Sequence, residues 1–220
     1  MILTPIADSE LPDFLARFDG ALSSESQRAV FRRIVDSGDP ARATAQKSVK
    51  NHSESIDLIT SFYIGLKPGA PRLDVSWDGA ELRSETEAYI LLHELAHYQL
   101  ASPRRRFTVD FGLGPGPETG DRDRAERAAL LFGAAREHEE AMASLLGILW
   151  EAELGHPALA SFLDQNWLEG VVRIQTRRGA AIHFENILAQ LARDGFVTAD
   201  FRPARTLRHD EDGNPGLGPV

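Results

Sequence analysis

His93-Glu94-Leu95-Ala96-His97 sets two imidazoles four residues apart with a carboxylate beside the first. On an α-helix four residues advance about 400°, so the two rings stand about 40° apart on one face, one turn from each other. Two neutral imidazoles placed in this way can hold one metal ion. Glu94, about a quarter turn away, can act on whatever fills the ion's remaining positions without being a ligand itself. Ile90 and Leu100 flank the histidines on the same face, which aims the rings into protein rather than bulk water. A two-histidine site needs a third protein ligand, and Arg136-Glu137-His138-Glu139-Glu140 offers several. In a continuous helix the apolar stripe through Met142 and Leu149 brings His138 nearest the core, leaves Glu137 and Glu139 at its edges and turns Glu140 away. A helix that starts between Gly133 and Glu140 instead frees a carboxylate to turn inward.

The metal decides between two chemistries. Zinc polarises water against a peptide carbonyl with Glu94 as general base, which is a metallopeptidase. Iron(II) on two histidines and one carboxylate leaves positions for dioxygen, which is an oxygenase. A carboxylate-bridged di-iron bundle needs two Glu-x-x-His helices. The second match here, Glu153 to His156, falls on a Gly-Pro helix end. A catalytically silent binding module, with the motif structural, is the third reading. The chain has no cysteine, so disulfides, thiolate zinc sites, iron-sulfur clusters and thiol nucleophiles are excluded.

The motif needs a helix, and Ser84-Glu85-Thr86-Glu87 reads as the capping box of one that runs to Ser102-Pro103. Upstream, Leu11 to Val35 reads as two amphipathic helices around Asp19-Gly20, stopped at Gly38-Asp39-Pro40. Ile56 to Ile64 and Leu73 to Trp77 have the content of strands, joined by Lys67 to Pro71 as a hairpin. Downstream, Phe107 to Phe111 reads as a short strand, Gly112 to Gly120 as a loop suited to be a lid, and Arg104-Arg105-Arg106 as a solvated turn. Asp121 caps a helical region from Arg122 to Leu154 that Gly133 can break. Gly155-His156-Pro157 ends it, and Leu159 to Leu168 and Ala181 to Ala192 are further helices. Trp77, Trp150 and Trp167 read as core aromatics.

With 220 residues, 42% hydrophobic and 26% charged, the chain suits one domain. The expectation is a mostly α (α+β) fold, with a small β element and the metal site between two helices. Residues 1–207 form the catalytic domain and 208–220 a loose tail. The net charge of -9 argues against nucleic acid and anionic membranes as partners and suits a basic one. No apolar run approaches the roughly 18 residues of a spanning helix, and the first ten residues lack a signal-like pattern, so a cytoplasmic protein is expected.

The context of the motif carries further information. His93 to Tyr98, Ala101, Arg104-Arg105 and Val109-Asp110-Phe111-Gly112 resemble the bacterial elongation factor P hydroxylase family, whose pattern reads H-E-[IL]-[AS]-H-W, A-G, R-R and V-D-F-G. Asp164, Asn166 and Leu168-Glu169-Gly170 are similar to that family's D-N-L-E-G, and His183 falls close to another family histidine. The resemblance spans roughly Tyr89 to Gln190, with gaps. It implies iron-dependent hydroxylation of a lysine-derived side chain with dioxygen as co-substrate, on a protein, a peptide or an amino-acid-like molecule. It also sets family glutamates near Glu140 and Glu137, ranked in that order as third ligand, against the His138 that the stripe favours. Asp110 is a candidate to orient a histidine through its free ring N–H, and Glu169 and His183 are candidates to act near the substrate. Leu113 to Thr119 departs from the family pattern, which has an aromatic and Cys-containing stretch there, so the chemistry carries over better than the substrate does.

Overall fold

The structure, a computed structural model, describes residues 6–7, 9–37, 45–168 and 179–210. Its centre is a helix that is apolar on nearly every side. Ile90, Leu91, Leu92, Leu95, Ala96 and Leu100 of α4 (Ala88–Leu100) are all buried, leaving the His93 and Glu94 side as its polar face. Against it lies α6 (Gly133–Leu154), buried without a break from Met142 to Glu151. The two backbones come close because position 147 carries no side chain. A Cβ on Gly147 would stand 3.2 Å from the His93 Cα and 3.3 Å from its nitrogen.

Around this pair, α3 (Ala45–Thr60) packs on α4, and α7 (Ala158–Asp164) and α8 (Gly179–Arg193) pack on α6. Helices α1 (Leu11–Ala21) and α2 (Glu25–Asp36) close the far side through Phe18 and Phe31, whose rings meet Phe162 and Phe184 in one aromatic cluster. The remaining helix, α5 (Arg122–Arg127), is short and capped by the Asp121 carboxylate. Among the described residues the only sheet is β1 (Gly65–Lys67) beside β2 (Glu81–Arg83), parallel, with Gly65 opposite Glu81 and Lys67 opposite Arg83. The fold is mostly α, as the sequence suggests. No helix among the described residues is long and apolar enough to cross a membrane.

Several elements differ from the sequence expectation. Residues 56–60 are helix, not strand: α3 runs from Ala45 to Thr60 with Ser55 and Ile59 buried one turn apart, and Phe62 is buried in the turn that follows. The hairpin is replaced by the parallel pair, because the chain turns at Pro71–Leu73 and returns through Trp77, which bridges antiparallel to Leu82. The first helical pair is joined after Ala21 rather than at Asp19-Gly20, and the capping box forms there, between Ser24 and Gln27. Ser84 forms none. Its hydroxyl donates to the Lys67 carbonyl, and α4 starts at Ala88. Phe107 to Phe111 is two 3-10 turns, with Asp110 and Phe111 at φ 41° and 53°. The Arg122 to Leu154 region is broken where the Gly112 carbonyl accepts from the nitrogens of Leu130 and Leu131, before Gly133 starts α6 at φ 53°. The chain is still fastened at Arg208, whose nitrogen donates to the Gln99 carbonyl, so the predicted tail does not begin there. Residues 38–40, the expected stop after α2, lie outside the described residues, as does 211–220.

Where α6 meets α7, Ser161 Oγ donates to Glu151 Oε2 at 2.9 Å. Burial pushes the Glu151 carboxyl up to about 8 against that hydrogen bond, and the Asp164 charge adds to the rise. An acid whose pKa rises on folding contributes fully below its unfolded value, near 4.5, and loses that contribution as pH climbs through the folded value. Glu151→Gln, which keeps the acceptor for Ser161, should flatten the decline in melting temperature between about pH 5 and pH 9. Within that window the wild type should lose up to about 1.4 kcal/mol per pH unit from this group. Parallel pH profiles for the two proteins would place the loss elsewhere.

Candidate metal centre

The histidines of α4 project one turn apart toward the first half of α6. His93 Nε2 and His97 Nε2 are 3.0 Å from each other, with their rings edge to face. Glu140 Oε2 lies 3.7 Å from the first and 3.4 Å from the second. Two donors each about 2.1 Å from a common ion, at angles of about 90° to 120°, stand about 3.0 to 3.6 Å apart. The triangle therefore fits one ion to within a few tenths of an ångström. Among the described residues, no other group of three His, Asp or Glu side chains converges in this way.

Glu140 is thus the carboxylate that reaches the histidines. Glu137 is exposed and His138 is outside the cluster, so neither alternative is brought to it. The apolar stripe misleads because α6 is buried all round from Met142 onward. The face toward α4 is marked by small and polar residues instead: Glu140, Ser144 and Gly147, spaced by four and three.

The electrostatics suit a cation. Burial is the largest influence on Glu140 and opposes its ionisation, yet the His97 charge and the hydrogen bonds from both histidines hold its carboxyl well below the usual range. Burial likewise disfavours charge on His97, but Glu140 outweighs it and the pKa rises. On His93 burial prevails and the pKa falls, which favours the neutral ring. A metal ion here would compete with protons for these donors, as ligand sites generally release protons on loading. Burial pushes Glu94 up to about 8, with the His97 charge opposing and the charges of Asp110 and Glu140 adding. Its carboxyl is therefore protonated at neutral pH.

Asp110 does not orient a histidine. Its Oδ1 accepts from the Trp77 nitrogen at 3.0 Å and its Oδ2 from the Thr119 hydroxyl at 2.8 Å. Burial still raises its pKa against those bonds. His97 Nδ1 is buried with no hydrogen-bond partner among the described residues, and the ring is seated on Phe111, 5.9 Å between centroids and 24° between planes.

The three donors open into a cavity of about 960 Å³, lined also by Glu94, Asp110 and His183. His183 stacks on Trp167 at 5.2 Å, and Trp167 Nε1 donates to Ser144 Oγ at 2.8 Å, one turn beyond Glu140. Trp167 is therefore both core and cavity wall. Residues 113–119 form the opposite wall, and this segment is tied down rather than free to close. Thr119 is buried on Asp110, and the Gly120 nitrogen donates to the carbonyls of Pro71 and Asp74. Glu169 lies outside the described residues. The sequence reading missed Arg105, which is buried and paired with Glu139 rather than solvated. Arginine at a turn carries no local signal of a partner on another helix. It also passed over Ser144 and Tyr89, another wall residue one turn before His93.

No protein family, curated protein or solved structure matches the chain.

Titration of the metal-free protein with Zn(II) or Fe(II) should raise its melting temperature, since an ion that binds only the folded state stabilises it. At about 100 times the dissociation constant the gain is about 2.7 kcal/mol. His93→Ala, His97→Ala and Glu140→Gln should abolish the gain, and Glu137→Gln should keep it. Retention in Glu140→Gln would remove that residue from the ligand set.

Proposed function

We propose that this chain is a mononuclear non-heme iron(II) oxygenase that hydroxylates a side chain of a protein, a peptide or an amino-acid-like molecule. The observation that carries the reading is the convergence of His93, His97 and Glu140 at the wall of a cavity of about 960 Å³. Two histidines and one carboxylate holding iron leave positions for dioxygen and substrate. The resemblance of Tyr89 to Gln190 to the elongation factor P hydroxylases supports the same chemistry and a lysine-derived target. Hydroxylation converts C–H to C–OH, with the second oxygen atom leaving as water, so two electrons and two protons must come from a reductant.

The roles of the protein groups follow from their surroundings. Glu94, beside the donors and facing the cavity, is placed to exchange a proton at the reacting centre. The apolar walls at Ile90, Leu113 and Trp167 suit an aliphatic chain, and Glu118 suits a cationic group on it. The net charge of -9 favours approach of a basic substrate.

A second reading, a zinc metallopeptidase, is favoured by Glu94 itself. A carboxylate that follows the first histidine and faces the same cavity is placed as the general base of a hydrolytic H-E-x-x-H site.

Elemental analysis after anaerobic purification, then oxygen uptake on addition of ferrous iron and a reductant, separates the two. Near-stoichiometric iron with oxygen consumption that His93→Ala eliminates is the expected result. Tightly held zinc, no oxygen uptake and chelator-sensitive cleavage of casein would establish the peptidase instead.

A further inference from the structure

Arg105 lies in the turn after α4, 7% exposed, and its guanidinium is fully engaged in two directions. Nη1 donates to Glu139 Oε2 at 2.7 Å, Nη2 donates to Glu139 Oε1, and Nε donates to the Phe111 carbonyl at 2.8 Å. We infer that Arg105 and Glu139 form a clamp that positions the metal donors, an inference that rests on the metal-centre reading above.

The connections run to both sides of the donor triangle. Glu139 is the residue before Glu140 on α6. Phe111 is the ring on which His97 is seated, and Phe111 is itself stacked on Trp77 at 5.4 Å and 9°. One planar fork therefore ties the backbone beside the carboxylate ligand to the backbone beside the histidine's support. Arginine suits the task because its donors lie in a fixed plane, so a bidentate pair sets orientation as well as distance.

Two observations favour a positioning role over simple stability. A ligand histidine is ordinarily fixed by a hydrogen bond from its second ring nitrogen. His97 Nδ1 has none among the described residues, so the Phe111 face is a contact that can fix that ring. A buried ion pair is also weak evidence of stabilisation, since apolar residues of similar volume often do as well. Phe111 is held at φ 53°, a conformation that side-chain-bearing residues rarely adopt, and the Arg105 bond to its carbonyl holds that turn against α6.

The test compares metal affinity with stability. Wild type, Glu139→Gln, Arg105→Lys and Ser161→Ala, all metal-free, are titrated with Co(II) well below their melting temperatures while the visible absorption of the bound ion is recorded. Ser161 belongs to the buried Glu151 pair, so its loss costs stability without touching the clamp. Wild type and Ser161→Ala should bind alike, whereas the two clamp variants should bind about 10 to 100 times more weakly with an altered spectrum. Should Arg105→Lys not fold, the near-isosteric Glu139→Gln keeps the comparison. Clamp variants within about twofold of wild type, or an equal loss in Ser161→Ala, would overturn the inference. A wild type that binds no Co(II) would overturn the metal-centre reading and the clamp with it.

Discussion

The backbone of α6 rests against the backbone of α4 at His93, and the rest of the site is built outward from that contact. Gly147 permits it, since a methyl group there would press on atoms of the α4 main chain that cannot turn aside. Two turns toward its start, on the same face, α6 presents Glu140, and the approach fixed at Gly147 brings that carboxylate within 3.4 Å of His97. The apolar girdle of α4, from Ile90 to Leu100, exists to be buried by this packing. The placing of the three donors side by side thus follows from helix geometry and one missing side chain.

The packing creates an electrostatic problem that only part of the structure solves. Glu94, Glu140, His93 and His97 share one cavity wall with Asp110, and burial disfavours charge on every one of them. The histidines hold the Glu140 carboxyl down and Glu140 in turn raises the His97 pKa, while burial raises that of Glu94. Such an arrangement is less favourable than the apolar core around it, as perturbed groups gathered in a cleft commonly are at functional sites. A divalent ion would meet the same charge more fully than one proton can.

How much of this the sequence reveals depends on the range of the interaction. His93 and His97 are legible because their juxtaposition needs only helical periodicity. Glu140 is legible from resemblance alone, because Ser144 and Gly147 mark its face by small size, and a reading based on apolar stripes selects His138 instead. Arg105 is illegible because its partner is 34 positions away on another helix. The strand content of Ile56 to Ile64 misleads for a related reason: β-branched and aromatic residues serve equally well on a helix whose buried positions are Ser55 and Ile59, and tertiary packing overrides propensity.

The wall formed by residues 113–119 bears on what the site acts upon. It is held from outside the metal centre, through Thr119 on Asp110 and through Gly120 beneath Pro71 and Asp74, where a Cβ would overlap the Arg72 carbonyl. Asp74 is braced in turn by Arg83 and Arg124. None of these bonds passes through His93, His97 or Glu140, so the wall can change in sequence while the donor triangle stays as it is. Leu113 to Thr119 is also a stretch that departs from the hydroxylase pattern which Tyr89 to Gln190 resembles with gaps. On the proposed reading the departure falls on the surface that a substrate meets and lies apart from the residues that would do the chemistry.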